Sequence, residues 1–184
     1  CFIADLKGDL ERRDFTVNAL ALPLSGEICD LFGGQVDIAK RLIRCVGNPE
    51  KRFDEDALRM LRAFRFSAVL GFEIEPLTLA AIKNKAPLSR GLAKERVRTE
   101  LEKILLSNSP QVISSVIEYG LLSELVAKSA SSPDLAPLEK LPKNRTLRWA
   151  GLCALLLKSG VIDDAEEFLT ALRLDSALIR ACSA

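Results

Sequence analysis

Apolar and polar residues alternate in two different rhythms along this chain, and the change falls near residue 47. Before it, apolar runs are short and bounded by turn residues. CFIAD reads as a strand end, and DLERRDF offers one or two charged helical turns. VNALALPL and EICDLF flank Ser25-Gly26 as the arms of a hairpin. Gly33-Gly34 breaks the chain, DIAKRL suits a short helix and IRCV a last short strand. These pieces make a small α/β element, too thin to fold alone. From Pro49 onward apolar residues recur at helical spacing. One helix is predicted over residues 54–70, closed by Gly71, and the next starts at Pro76 and runs to about Lys85. In LAKERVRTELEKILLS, Val97, Leu101, Ile104 and Leu105 share a stripe, with Arg96–Glu100 and Arg98–Glu102 spaced for i,i+4 pairs. PQVISSVIEYG reads as a helix between Pro110 and Gly120, and KSASSPDLAP as the clearest loop. Helical segments fit residues 144–158, 163–172 and 175–183. The expected fold is mainly α, a small α/β element followed by an array of seven to nine helices.

The stretch RFDEDALRMLRAFRF changes this picture. At roughly 100° per residue, Phe53, Ala57, Met60, Leu61, Phe64 and Ala68 fall on one arc, the predicted core face. The opposite arc carries Arg65, Arg62, Glu55, Arg59, Arg52 and Asp56. Glu55 and Asp56 are both spaced to hold Arg59. The plain reading is a solvated helix face with intrahelical ion pairs. The alternative is a cleft floor, because Phe66, Val69 and Leu70 make the following turn apolar nearly all round, as in a buried helix end. An Asp that accepts beside an Arg that donates can pair with the edge of a base, and further arginines can meet phosphates.

Composition removes several chemistries. The 184 residues contain no histidine, which excludes histidine general-base chemistry, histidine triads and histidine-ligated metals. The five cysteines are scattered without a CxxC, which fits a reducing, cytoplasmic setting better than a disulfide framework or a zinc site. A net charge of +1 argues against a polybasic wrap around nucleic acid but leaves room for a local basic site. No apolar run reaches the roughly 20 residues of a membrane span. The chain opens at Cys1 inside an apolar run and closes in helix-like DSALIRACSA, so it reads as a piece of a longer protein.

A second charged cluster, DLERRDFTVNAL, sets Arg12, Arg13 and Asp14 beside Phe15, Val17, Ala19 and Leu20, which press the segment onto a core. A surface turn is the plain account. Facing a cleft, Arg13 binds a phosphate and Asp14 accepts from a ribose hydroxyl. RRDFTVNALA, DLFGG, EDALRMLRAFRFSAVLGF and ERVRTELEKIL, in this order and spacing, resemble the class II tRNA nucleotidyltransferase (CCA-adding enzyme) and bacterial poly(A) polymerase family. The resemblance covers residues 9–106 strongly and the rest weakly.

The resemblance implies the C-terminal part of a nucleotidyltransferase head over residues 1–46, a nucleotide-selecting neck over 47–107, and a helical body over 108–184. It puts Asp56 and Arg59 on the base edge of ATP or CTP, Arg62 and Arg65 along the nucleotide and its phosphates, and Arg13 and Asp14 near the triphosphate and ribose. DLFGG, Asp30 to Gly34, becomes a hinge, and ERVRTELEKIL a support for the EDxxR helix. The implied partners are tRNA, CTP and ATP, and the implied cofactor is Mg²⁺. The family's GGxxRD and DxD carboxylates do not occur here, so the chain by itself is expected to be inactive, with its metal ligands elsewhere. LRWAGLCALLLK stands where some relatives carry a His-Asp pair, but Cys153 and Ala154 read as core helix. Lys140, Lys143, Arg145 and Arg148 form a loose basic group that either touches RNA phosphates or solvates a helix end. Poly(A) or A-addition, and a non-catalytic nucleotide- or RNA-binding helical module, are the competing functions.

Overall fold

The computed structural model describes residues 6–24, 26–126 and 132–183. The first segment is a helix α1 (Leu6–Glu11), a 3-10 turn at Thr16–Asn18, a hairpin of β1 (Leu20–Ala21) and β2 (Cys29–Asp30), helix α2 (Gly34–Ala39) and strand β3 (Leu42–Ile43). β1 and β2 pair antiparallel, Leu20 opposite Asp30, so the expected hairpin forms. Ser25 of its turn and the CFIAD segment lie outside the described residues.

DLFGG is the turn from β2 into α2. Asp30 accepts from the backbone N–H of Phe32, Gly34 and Gln35 and so satisfies the start of the helix. Gly33 has φ +76. A side chain on Gly34 would meet the Thr16 carbonyl oxygen at 2.3 Å, so only glycine lets the two backbones approach.

The helical part comprises α3 (Pro49–Glu55), α4 (Leu58–Leu70), strand β4 (Glu73–Ile74), α5 (Pro76–Lys85), α6 (Lys94–Leu105), α7 (Val112–Glu118), α8 (Arg145–Lys158), α9 (Ala165–Ala171) and α10 (Ser176–Ser183). 3-10 turns at Ala86–Gly91 and Ala136–Lys140 join them. Eight α-helices among the described residues match the expected array. Asn48, Glu75, Asn144 and Asp164 each cap a helix start through the side chain, and Gly71 ends α4 in the left-handed region. No helix among the described residues is long and apolar enough to cross a membrane.

The two segments share one core. Phe15, Ile43 and Cys45 are buried in the same cluster as Phe53, Met60, Leu61, Phe64, Leu101 and Ile104. β3 pairs in parallel with β4, Ile43 opposite Ile74, a pairing not expected from local pattern because the strands lie 30 residues apart. Around it, Thr16 Oγ1 donates to buried Asp37 at 2.7 Å, Arg44 bridges Asp37 and Glu75, and the Cys45 N–H donates to Thr78 Oγ1.

Four expectations need correcting. The helix over 54–70 is two helices, because Asp56 adopts an extended backbone and its carboxylate accepts from the Leu58 N–H. Val69 and Leu70 are 47% and 45% exposed, so the end of α4 is not buried. The i,i+4 pairs on α6 do not form: Arg96, Glu100 and Glu102 all reach other elements. Cys153 is buried in α8 as expected, whereas Ala154 is exposed.

Phe64 is buried and packs its ring against Tyr119, centroids 5.5 Å apart. Phe64→Ala is expected to lower unfolding free energy by about 3–5 kcal/mol, read from urea denaturation followed by circular dichroism.

Candidate functional site

The site is built where RRD lies across the junction of α3 and α4. Asp14 is buried, its backbone paired to Val46, with its carboxylate turned to α4. Arg59 Nε donates to Asp14 Oδ1 at 3.0 Å, and Arg62 Nη2 lies 2.5 Å from Asp14 Oδ2. Arg59 Nη1 also donates to Glu55 at 2.6 Å and to the Arg52 carbonyl at 2.8 Å, while Nη2 reaches the Arg12 carbonyl. Arg52 pairs with Glu55 and donates from Nη2 to the carbonyls of Glu11 and Arg13 at 2.6 and 2.8 Å. Two segments about 40 residues apart in sequence are thus joined by guanidinium groups spanning backbone oxygens.

These are not solvated charges. The side chains of Arg52, Arg59 and Arg65 are 11%, 12% and 16% exposed, and that of Arg62 33%. The solvated-face reading fails. The arginines are covered by the RRD segment and not by an apolar helix end, while the Glu55–Arg59 pair expected at i,i+4 does form.

Asp56 sits at the rim. One oxygen caps α4 through Leu58, and the other accepts from Arg96 Nη2 of α6 at 2.8 Å. It does not hold Arg59, because its extended backbone turns it out of the helix. Arg65 belongs to a separate contact: its Nε lies 2.6 Å from Glu100 of α6, with the N–H not aimed at the oxygen, and its guanidinium stacks 3.8 Å from the Phe66 ring centre. Arg13 is exposed and pairs with Asp9 at 3.0 Å. The structure therefore gathers Asp14, Arg59 and Arg62 in one cluster and sets Asp56 at its edge. It leaves Arg13 on the surface and turns Arg65 toward α6. The roles of Arg52 and Glu100 escaped the sequence reading, since helical spacing cannot reveal partners on another element.

Electrostatics follow this geometry. Burial draws Arg59 down from its ordinary value, but Glu55 and Asp14 outweigh it and hold the proton more tightly. Burial pulls Arg65 below its ordinary value despite Glu100. The hydrogen bond from Arg59 holds the Glu55 carboxyl below the usual range, against the opposing effect of burial.

Residues 1–44 match the family described as the poly A polymerase head domain, and residues 71–137 the one described as a probable RNA and SrmB-binding site of polymerase A. The chain is 41% identical to the CCA-adding enzyme of Limosilactobacillus fermentum over an alignment of 188 residues, which covers 99% of this chain and 46% of that one. It is similar in structure to the Bacillus stearothermophilus CCA-adding enzyme in complex with CTP, with a TM-score of 0.86, 39% identity, and 97% and 45% of the two chains covered. It is also similar to the Thermotoga maritima CCA-adding enzyme complexed with tRNA, with a TM-score of 0.71, 27% identity, and 95% and 46% covered. The chain spans just under half the length of these relatives.

Asp14→Asn removes the shared anion from two arginines. The expected loss is about 3 kcal/mol, the low end for one member of a buried ion pair, because Glu55 stays on Arg59. Urea denaturation of the variant against the parent measures it. A lowered folded-state pKa at Glu55 adds stability above its unfolded value of about 4.3, and that stability is lost as pH falls through the lower folded value. Asp30 acts in the same sense, since backbone N–H groups outweigh the burial that pushes it up. With no histidine to titrate, the urea midpoint is expected to stay nearly flat from about pH 5.5 to 7.5 and to fall below about pH 4.

Proposed function

The chain belongs to the class II tRNA nucleotidyltransferase (CCA-adding enzyme) and poly(A) polymerase family, and on that premise we propose that it is the nucleotide-selecting, RNA-holding part of an enzyme that adds CCA to tRNA 3′ ends from CTP and ATP. The observation that carries this reading is Asp56 at the mouth of the buried Arg59 cluster. Arg59 spends its Nε proton and both Nη1 protons within the protein, and one Nη2 proton is left over for a ligand. Each Asp56 oxygen keeps a lone pair beyond the one it uses. One donor beside one acceptor complements an exocyclic amine next to an unprotonated ring nitrogen. Cytosine and adenine both present that edge, whereas uracil and guanine present a carbonyl next to an N–H. The same pair can therefore accept C and A and reject U and G without a nucleic-acid template. Arg62, a third exposed beside Asp14, is placed to meet a phosphate or sugar of the bound nucleotide, with Arg13 at the outer edge.

The division into head, neck and body at residues 46/47 and 107/108 is part of the same proposal, as is a cytoplasmic site of action. No group of three or more His, Cys, Asp or Glu side chains among the described residues is arranged to hold a metal ion. We assign Mg²⁺ to carboxylates outside this chain. What these residues supply is positioning: a nucleotide held by its base edge, with its phosphates toward Arg62.

The full-length protein, given tRNA lacking its 3′ CCA together with CTP and ATP, is expected to extend it by C, C and A on a sequencing gel. Addition of A alone would replace this reading with A-addition or poly(A) synthesis. Absence of any addition would favour a binding module. Asp56→Asn keeps a capping oxygen but turns half of the acceptor into a donor. It is expected to lower the CTP-over-UTP ratio of kcat/KM about tenfold, within the 1–3 kcal/mol that such a pair supplies. An unchanged ratio would remove Asp56 from base reading.

A further inference from the structure

Arg52 stands outside the pair proposed to read the base, yet it is as deeply covered as Arg59, with 11% of its side chain exposed against 12%. A side chain of this charge is rarely buried unless it is paired. Its Nη1 donates to Glu55 Oε2 at 2.6 Å, and its Nη2 donates to the carbonyls of Glu11 and Arg13 at 2.6 and 2.8 Å. The carbonyl between them, that of Arg12, accepts from Arg59 Nη2 at 3.3 Å. Three successive carbonyl oxygens of the RRD segment are thus held by two guanidinium groups from the α3–α4 junction.

These oxygens have no substitute partner. Helix α1 ends at Glu11, so they lie where the helical ladder has run out. Among the described residues no backbone N–H donates to any of the three. The tie matters most at Asp14. The Arg13 carbonyl and the Asp14 N–H belong to one planar peptide group, so holding that carbonyl fixes the entry of the chain into Asp14. The exit is fixed separately, because the Val46 N–H donates to the Asp14 carbonyl at 3.1 Å. Arg52 therefore supplies one of the two brackets on the residue whose carboxylate faces Arg59 and Arg62. Each oxygen of that carboxylate keeps a lone pair beyond the one turned to its arginine.

We infer that Arg52 is a positioning residue: by clamping the Glu11 and Arg13 carbonyls it fixes the spacing between the Asp14 carboxylate, which accepts from the ribose, and the Asp56–Arg59 edge, which reads the base. The inference rests on the proposed function for its substrate. A nucleotide is then gauged at two points a set distance apart. Base choice does not need the Arg52 side chain, since Glu55, Asp14 and the backbone carbonyl of Arg52 all remain on Arg59 when that side chain is changed. Sugar choice does need it, because the path of the RRD backbone depends on it.

The test uses the full-length protein and tRNA lacking its 3′ CCA, with kcat/KM measured for CTP, UTP and 2′-deoxy-CTP. Arg52→Met keeps the stem and removes the guanidinium. It is expected to lower the preference for CTP over 2′-deoxy-CTP about tenfold, the scale of one hydrogen bond to a charged group. The preference for CTP over UTP is expected to stay within about twofold of the unaltered protein. Arg52→Lys retains a charge for Glu55, but a compact ammonium on a shorter stem cannot serve Glu55 and both carbonyls together. It is expected to lose about threefold in sugar preference. Thermal melting sets an assay temperature at which the variants are folded, and the lysine variant carries the test if the methionine variant has melted. Unchanged sugar preference in a folded variant would overturn the inference and leave the proposed function standing. A parallel fall in both preferences would make Arg52 a general prop and overturn it too, as would an unaltered protein that selects C over U but takes 2′-deoxy-CTP as readily as CTP. If the unaltered protein does not select C over U, the proposed function falls, and the inference falls with it.

Discussion

A carboxylate taken out of water must find cations, and Asp14 finds two. Its burial is tolerated only because Arg59 and Arg62 meet its two oxygens. The same arginines, confined beneath the RRD segment, need anions and carbonyls of their own. Arg59 takes Glu55 and the carbonyls of Arg52 and Arg12, and Arg52 takes those of Glu11 and Arg13. Each satisfied group fixes a neighbour, so the network sets the path of the chain over residues 11–14 against the α3–α4 junction. Removing Asp14 leaves Arg62 without its carboxylate and Arg59 with Glu55 alone, so its loss costs more than that of a surface contact.

This constraint also explains the shape of the edge proposed to read the nucleotide. Arg59 is so fully committed inside that one N–H is left without an internal partner, and the bonds around it fix where that N–H lies. Asp56 is held by the start of α4 on one side and by Arg96 on the other. A donor and an acceptor whose orientations are set before a nucleotide arrives discriminate by geometry, since neither can turn to suit the wrong edge. The break between α3 and α4 is what releases Asp56 from the helix and allows this. In an unbroken helix Asp56 would have been spent on Arg59.

Helix α6 meets α4 at its start and again along its length. Arg96 reaches Asp56 at one end, and Glu100 reaches Arg65 a turn further on. Beyond that contact Glu102 ties the same helix to Arg145 and Trp149 of α8. One helix thus ties the Asp56 edge to the start of α8. The ERVRTELEKIL segment is a support, as the family resemblance implied, but its charged residues are mostly cross-helix ties rather than the expected i,i+4 pairs.

The helical character of the chain, the hairpin, the ends of α5 and the core stripe of α6 were all legible locally, because periodicity and caps act over a few residues. Asp56, Arg59, Arg62 and Arg65 could be singled out for the same reason, since charges at helical spacing beside a core face are conspicuous, and Arg13 and Asp14 stood out as a charged cluster beside apolar residues. Their partners could not be read. Helix-wheel geometry pairs a residue with i+3 or i+4, yet Arg59 found Asp14, Asp56 found Arg96 and Arg65 found Glu100 across 35 to 45 positions. The extended backbone at Asp56 and the β3–β4 pairing likewise depend on segments distant in the chain. The sequence by itself determined which residues carry charge and which face of each helix must be buried, since both follow from composition and period. Only the tertiary structure decided which charges are buried together and which remain for a ligand, because that depends on desolvation and on partners supplied by another element.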